Sequence, residues 1–458
     1  MRRFLGCLAL GWALLSCTRE AAPSVSDYLE RVTLAPTGNA LRYTVALTFS
    51  KAATYSLQYR RAGGTEWSGT QPRTAEVGEN RCPLMFLYPS TAYEYRVRIG
   101  DGLFSDVQTF TTGAIPPEVP VYDVTVDAGG PSEGYLLQWQ ATRPGWLTFC
   151  DMEGKVVWYE SFEQAVRHVY FDPGQGRIAV LTGFREGANS AKFQRLCDRI
   201  IAIDLEGNRL VKWTASDENV RYPHHDIKLM PDGNLLLFNN VVRTFDLSSL
   251  GGGTEVPVYG EGFTILTPDG EVVRRWDVFD ELDPVRDTYL DAVALDYDLL
   301  HGNSVNWDGN GDFYITLNRH SELWKIDGKT GKVLYRVGEH GNVQLDAPFP
   351  VGGLHAAVPL APDRILCYNN GAGQSRGQVY RVDPAALTAT LELDVVLPAE
   401  YSSADRSNVE LLPDGRTLLF ASTLARACIF TDLDGNILKV VSRTGIAYRS
   451  HWFPEVRY

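Results

Sequence analysis

The chain has 458 residues, 44% hydrophobic and 11% aromatic, with 42 glycines. That is long enough for two domains and suits many short strands joined by tight turns. A formal net charge of −13 supplies no phosphate-binding field, so nucleic acid and polyanionic surfaces are excluded as main partners.

The first seventeen residues read as an export segment. Arg2 and Arg3 form its positive end, and Phe4 to Leu15 form an apolar stretch too short to span a bilayer. Leu14-Leu15-Ser16-Cys17 resembles a bacterial lipobox, which makes Cys17 the lipidated residue and N-terminal anchor; an ordinary secretory signal is the alternative. The expected location is the periplasm or cell surface of a Gram-negative bacterium. No later stretch has the length and apolarity of a membrane helix. Five further cysteines, Cys82, Cys150, Cys197, Cys367 and Cys428, lie far apart without a C-x-x-C pair, a pattern of buried thiols rather than a disulfide framework or zinc site.

Residues 24–113 alternate apolar and polar positions in LRYTVALTF, TYSLQYR and YEYRVRIG between turns, the pattern of a small antiparallel sandwich. LYPSTAYEYRVRI resembles the corner of fibronectin type III domains, with Tyr93 as the residue that bonds back across the sheets. Residues 114–122, with Pro116, Pro117 and Pro120, form a stiff linker.

From residue 123 to 458 two kinds of turn alternate. One follows an apolar strand, at Asp172, Asp232, Asp308, Asp363 and Asp414. The other is a glycine hairpin, at Gly154, Gly207, Gly270, Gly331 and Gly435, with Asp383 marking a degenerate copy. Aspartate and glycine suit these places because tight hairpins need residues that tolerate positive φ. Two hairpins per repeat, six repeats and no helical periodicity predict an all-β chain: a six-bladed β-propeller after a small fibronectin-III/Ig-like sandwich. A pair of sandwiches is the structural alternative. Tyr289 to Leu300 is the most conspicuous insert.

Four of only eight histidines fall at matched places in this repeat. His225 and His301 precede Asp232 and Asp308 by seven residues, and His355 precedes Asp363 by eight. The longer offset at His355 requires a bulge. Alternation along a strand lets only one of His224 and His225 reach the channel, and the offsets leave which one open. Strand ends after the turns are polar in successive blades: Asn239-Asn240, Asn318-Arg319, Asn369-Asn370 and Ser422-Thr423. Around an axis these groups form a ring at one end. His168, His320, His340 and His451 are unmatched, which suits surface or structural roles, whereas Tyr448 and His451 fall in a C-terminal run that could close the last blade beside the site. Three chemistries are open: a metal-dependent hydrolase or lactonase, a binding propeller without turnover, and anion transfer with a neutral histidine as nucleophile.

The segments His-x-Asn-Ser-Val-x-x-Asp-Gly…Asn-Arg-His, His-His-Asp-Ile…Asp-Gly-Asn and His…Asn-Asn-Gly…Ser-Arg, together spanning Tyr222 to Arg376, resemble bacterial arylsulfate sulfotransferases. The resemblance implies transfer of a sulfuryl group from a phenolic sulfate to an acceptor phenol, with no cofactor, metal or nucleotide donor. It makes His355 the nucleophile of a ping-pong reaction through a sulfohistidine. His301, His225 and Arg319 complete the catalytic set, and Asn303, His224 and Asn370 would bind substrate. The partners it implies are small aromatic sulfates and phenols, with a homodimer through the sandwich left open.

Overall fold

The computed structural model describes residues 23–183, 197–214, 223–290, 299–338, 340–346, 353–371 and 373–458. The export segment with Cys17, and residues 291–298 of the insert, lie outside them. Two compact units emerge. Among the described residues the first comprises 23–35, Val45–Cys82 and Glu94–Thr109, and the second Pro36–Thr44, Pro83–Tyr93 and those from Phe110 to Tyr458. The division is therefore interleaved rather than a single cut near residue 113. N-terminal strands form one sheet from Leu29–Pro36, Tyr43–Phe49 and Gly78–Leu84, and another around Ala53–Arg61 and Ala92–Ile99. The Tyr93 hydroxyl accepts a hydrogen bond from the Tyr88 amide at 2.8 Å, the corner bond anticipated from the sequence.

In the second unit the described strands form six sheets, each built on four antiparallel strands and two of them extended by a fifth at the outer edge, and the fold is a six-bladed propeller. Blade 2 runs from Val166–Asp172 to Arg209–Thr214, blade 3 from Pro223–Leu229 to Val272–Asp277, and blade 4 from Gly302–Trp307 to Val333–Val337. Blade 5 runs from Leu354–Ala361 to Thr388–Val396, and blade 6 from Asn408–Leu411 to Ile437–Arg443. Middle strands are covered on both faces, so runs such as Ile178 to Leu181 and Leu235 to Phe238 are continuously apolar rather than alternating. Aromatic rings fill the gaps between blades. Phe263 of blade 3 lies 5.5 Å from Trp276 and 4.4 Å from Phe313 of blade 4, and burying one such ring contributes about 1.5–3 kcal/mol.

Both kinds of turn fall where the repeat placed them. The aspartate turns join the first and second strands of a blade, and the glycine hairpins join the third and fourth. Gly233 at φ 86° and Gly435 at φ 88° take the left-handed conformation those turns need. Asp232 Oδ1 accepts the Asn234 amide at 3.0 Å, an Asx turn that explains the aspartate.

Blade 1 is built from both ends of the unit. Tyr135–Gln140, Gly145–Asp151 and Val156–Phe162 supply three strands, and the C-terminal Ser450–Phe453 supplies the innermost, with Leu136 opposite Trp452. The C-terminal run therefore closes the first blade, not the last. Tyr122–Asp127 in turn pairs with Ile437–Arg443 at the outer edge of blade 6. The innermost strands of blades 2, 3, 4 and 5 touch in sequence, which brings their polar residues to one axis.

Candidate active site

At one end of the axis lies a cavity of about 800 Å³, whose described wall includes His168, His225, His301, Asn318 and His355. Each of these histidines sits at an irregularity of an innermost strand. Register shifts occur between Val166 and His168, Pro223 and Ile227, Gly302 and Ser304, and His355 and Val358. His225, His301 and Ala356 have φ of 54°, 49° and 48°, a left-handed conformation that costs a non-glycine residue about 1–3 kcal/mol. Bulges of this kind re-aim a side chain out of the ladder, and here they aim imidazoles into the cavity. The bulge required at His355 is present, and the same device serves the other blades.

His355 is held by one decisive contact. Its Nδ1 lies 2.5 Å from Asn370 Oδ1. The Asn370 amide nitrogen is committed elsewhere, donating to the carbonyls of Ser403 at 2.7 Å and Arg406 at 3.3 Å, so the amide cannot turn over. Asn370 therefore presents an acceptor, His355 Nδ1 carries the proton, and Nε2 keeps its lone pair. Asn318 Nδ2 is 3.4 Å from the same Nδ1, at the far edge of hydrogen-bond range, so the shorter contact sets the tautomer. Burial, then the nearby Arg449 guanidinium, pushes the His355 pKa down to about 3, with Asn370 opposing only in part. The ring is neutral throughout the physiological range.

The ambiguity between His224 and His225 is resolved by direction. His225 lines the cavity. His224 is fully buried and turns the other way, with Nε2 2.9 Å from Glu261 Oε2. The two rings meet at 2.8 Å, Nδ1 to Nδ1, so one proton lies between them and His224 stands between His225 and the Glu261 carboxylate. Glu261 Oε1 also accepts the Gly302 amide at 2.7 Å, one residue from His301. His225 can thus give or take a proton on the cavity side while a buried carboxylate compensates. Glu261→Gln keeps the shape and removes the charge. Its transfer rate is expected to fall about 10- to 100-fold, with the loss in kcat rather than KM. An unchanged kcat would show that the line is only structural.

Other expected site residues stand elsewhere. Asn303 is fully buried, with Nδ2 donating to the Leu354 carbonyl at 2.7 Å and Oδ1 accepting from Thr316 at 2.5 Å. It ties blade 4 to the His355 strand and does not reach the cavity as a sulfuryl donor, because both ends of its amide are occupied. His224 and Asn370 likewise position His225 and His355 instead of binding substrate. Arg319 is exposed on the turn after Phe313–Leu317 and is not part of the described cavity wall. The polar strand ends turn out to be fasteners for the loops between blades. Asn370 holds residues 403–406, and Thr423 Oγ1 donates to the carbonyls of Ala447 at 3.0 Å and Tyr448 at 3.2 Å. His320 and His340 pack around Tyr289, with their rings 5.0 Å apart, and His451 pairs with Glu410; all three serve structure.

Three further groups stand in or beside the site, of which the sequence pointed only to Tyr448, through its C-terminal run. His168 is buried, its pKa driven well below normal by burial and then by Arg167 and Arg449, and its Nδ1 has no hydrogen-bond partner among the described residues. Its ring lies 4.7 Å from Tyr448 and 5.5 Å from His225. Because it precedes its turn aspartate by four residues instead of seven, the offset rule passes over it. Tyr448 lines the cavity with its hydroxyl unpartnered among the described residues, and burial raises that hydroxyl's pKa to about 12, so it is a donor at neutral pH. Arg449 is buried next to it, with Nη1 3.2 Å from Asp226 Oδ2 and Nη2 donating to the Asn303 carbonyl at 2.6 Å. Burial alone would raise the Asp226 pKa, but Lys228 at 3.1 Å and Arg449 win and hold it low. The buried Arg449 guanidinium thus stands beside the cavity, suited to an anionic substrate. Among the described residues no three His, Cys, Asp or Glu side chains are close enough to share a metal ion.

Known structures with a related chain path include a protein of unknown function from Bacteroides caccae, 12% identical over 71% of this chain and 100% of that one, with a TM-score of 0.44. A periplasmic gluconolactonase from Pseudomonas aeruginosa is also 12% identical over 71% and 100%, with a TM-score of 0.42. The Cps50 (Swd1) β-propeller domain of Myceliophteria thermophila is 10% identical over 70% and 88%, with a TM-score of 0.39. No curated protein matches. The arylsulfotransferase (ASST) family model matches residues 123–432, more than half of the chain and nearly all of the propeller. With its histidine-lined cavity in the matched region, the chain belongs to the arylsulfotransferase family.

Proposed function

We propose that the protein transfers a sulfuryl group from an aryl sulfate to a phenol in two half-reactions through His355. The observation that carries this reading is the Asn370 contact, which engages Nδ1 of the cavity-lining His355 and so points to Nε2 as the attacking atom. In the first half-reaction Nε2 attacks sulfur, the N–S bond forms as the bond from sulfur to the aryl oxygen breaks, and the phenolate takes a proton from His225. In the second, the acceptor phenol returns its proton to His225 as its oxygen attacks sulfur, and the N–S bond breaks. Nδ1 keeps its proton on Asn370 throughout, so the imidazole carries positive charge only while sulfated. The charge of the sulfuryl oxygens is met by Asn318, by His301 and by the Arg449 guanidinium.

Incubation with p-nitrophenyl sulfate tests the proposal. Nitrophenolate release should be slow alone and rise with added phenol, with parallel lines in double-reciprocal plots as both substrates are varied. Release indifferent to phenol, or intersecting lines, would exclude a covalent two-step transfer.

A further inference from the structure

Building on that function, we infer that the preferred aryl substrates carry a second negative charge, a carboxylate on the ring or a short side chain, received by Arg406 and Arg426 at the cavity wall. The charge balance of the wall motivates this. The whole chain has a net charge of −13, yet the described wall holds three arginines, Arg167, Arg406 and Arg426, against a single acid, Asp405. Asp405 does not neutralise them. Its Oδ2 is 3.8 Å from Arg406 Nη2, with the two side chains 52% and 42% exposed, a pair worth little in water. A substrate carboxylate binding bidentate to a guanidinium would displace it readily.

Backbone conformation gives a second, independent observation. Arg406 and Arg426 have φ of 56° and 51°, where glycine would sit without strain and arginine costs about 1–3 kcal/mol. Both turns are tied down. The Arg406 carbonyl accepts from Asn370, the Arg426 amide donates to the Thr423 carbonyl at 3.2 Å, and the Arg426 carbonyl accepts the Arg443 amide at 2.9 Å. Two strained arginines are thus displayed at fixed places on one wall, as preorganised anion ligands are. A cavity of about 800 Å³ has room for a ring bearing a side chain. Arg406 also shares a contact with the residue that orients His355, which places the carboxylate end and the reacting end within one substrate's length.

Because donor and acceptor occupy this cavity in turn, both half-reactions should show the same preference. The test compares 3-(4-hydroxyphenyl)propionate with its primary amide as acceptors for p-nitrophenyl sulfate, and the sulfate esters of the same pair as donors. The carboxylate form should lead by about tenfold or more in kcat/KM, as one charge-assisted contact allows, and the lead should shrink with added salt. Arg426→Gly and Arg406→Gly should each reduce the ratio. Glycine takes the left-handed φ without strain, so loss of folding does not confuse the result. Both acceptors turning over with a ratio near one would overturn the carboxylate site while leaving sulfuryl transfer intact. A ratio unchanged in both variants would overturn the assignment to these arginines. No turnover of either acceptor, or of p-nitrophenyl sulfate with phenol, would overturn the underlying transferase reading as well.

Discussion

His355→Ala is expected to abolish aryl sulfate turnover, with a fall of at least about 10⁴-fold in kcat, because no other group on the described cavity wall combines a lone pair with a ring so firmly fixed. Intact-mass measurement after mixing the wild-type protein with donor alone should show the added mass of one SO₃, absent in the variant. The more discriminating substitution is Asn370→Ala. It leaves the nucleophile but removes the acceptor that keeps the proton on Nδ1, 2.5 Å away. The ring then samples both tautomers and orientations, and kcat should fall about 10- to 100-fold with little change in KM. Part of any stability loss would come from the Arg406 carbonyl losing its donor, about 1–3 kcal/mol for such a group, whereas the Ser403 carbonyl keeps its bond from Ser375 Oγ. A full-rate Asn370→Ala enzyme would refute the tautomer argument even if His355 proved essential.

Acid should unfold this protein earlier than its carboxylates alone would require. His355 has a folded-state pKa of about 3, and His168 is held well below normal, whereas an unfolded histidine titrates near 6.5. The folded state therefore binds fewer protons than the unfolded chain between these limits. The stabilisation is complete above about pH 6.5 and is lost as pH falls toward the folded pKa. Every tenfold weakening of proton affinity on folding is worth about 1.4 kcal/mol, so His355 alone removes a few kcal/mol across that window, and His168 acts in the same direction. Asp226, held below its ordinary value by Lys228 and Arg449 against the cost of its burial, acts in the same direction only below about pH 4. The melting temperature should thus be flat from pH 8 to 7 and decline steadily from 6.5 to 4.5, and His168→Leu should make that decline shallower. A melting temperature that holds steady down to pH 4.5 would contradict the buried, neutral state of these rings. Since His355 stays neutral to about pH 3, an acid limb in the rate at pH 5–7 would report a different group.

Much of the architecture was legible because it is local. An aspartate or glycine at a tight turn declares itself in four residues, and repetition of that signal turns a weak local preference into a propeller. The bulge at His355 was also legible, since one extra residue between histidine and turn has no other place to go. What escaped depends on contacts distant in sequence. Asn303 has a family-like spacing from His301, but only the neighbouring blade shows that its amide is spent on Leu354. His224 and His225 differ only in which side of the strand meets Glu261, a residue 36 positions downstream of the second. His168 failed the offset rule because its bulge sits nearer the turn. The C-terminal run was expected beside the site, but nothing local says that its Arg449 pairs with Asp226.

That return has a temporal consequence. Blade 1 lacks its innermost strand until Ser450–Phe453 has been made, and the two residues before it, Tyr448 and Arg449, complete the cavity and set the guanidinium beside it. During synthesis the first blades can pair their own strands, but the ring stays open and its pocket unfinished until Tyr448 to Phe453 have emerged. A finished pocket therefore depends on a strand made long after His355: a chain lacking Tyr448 to Phe453 retains His355 yet has neither a closed first blade nor a complete wall around it.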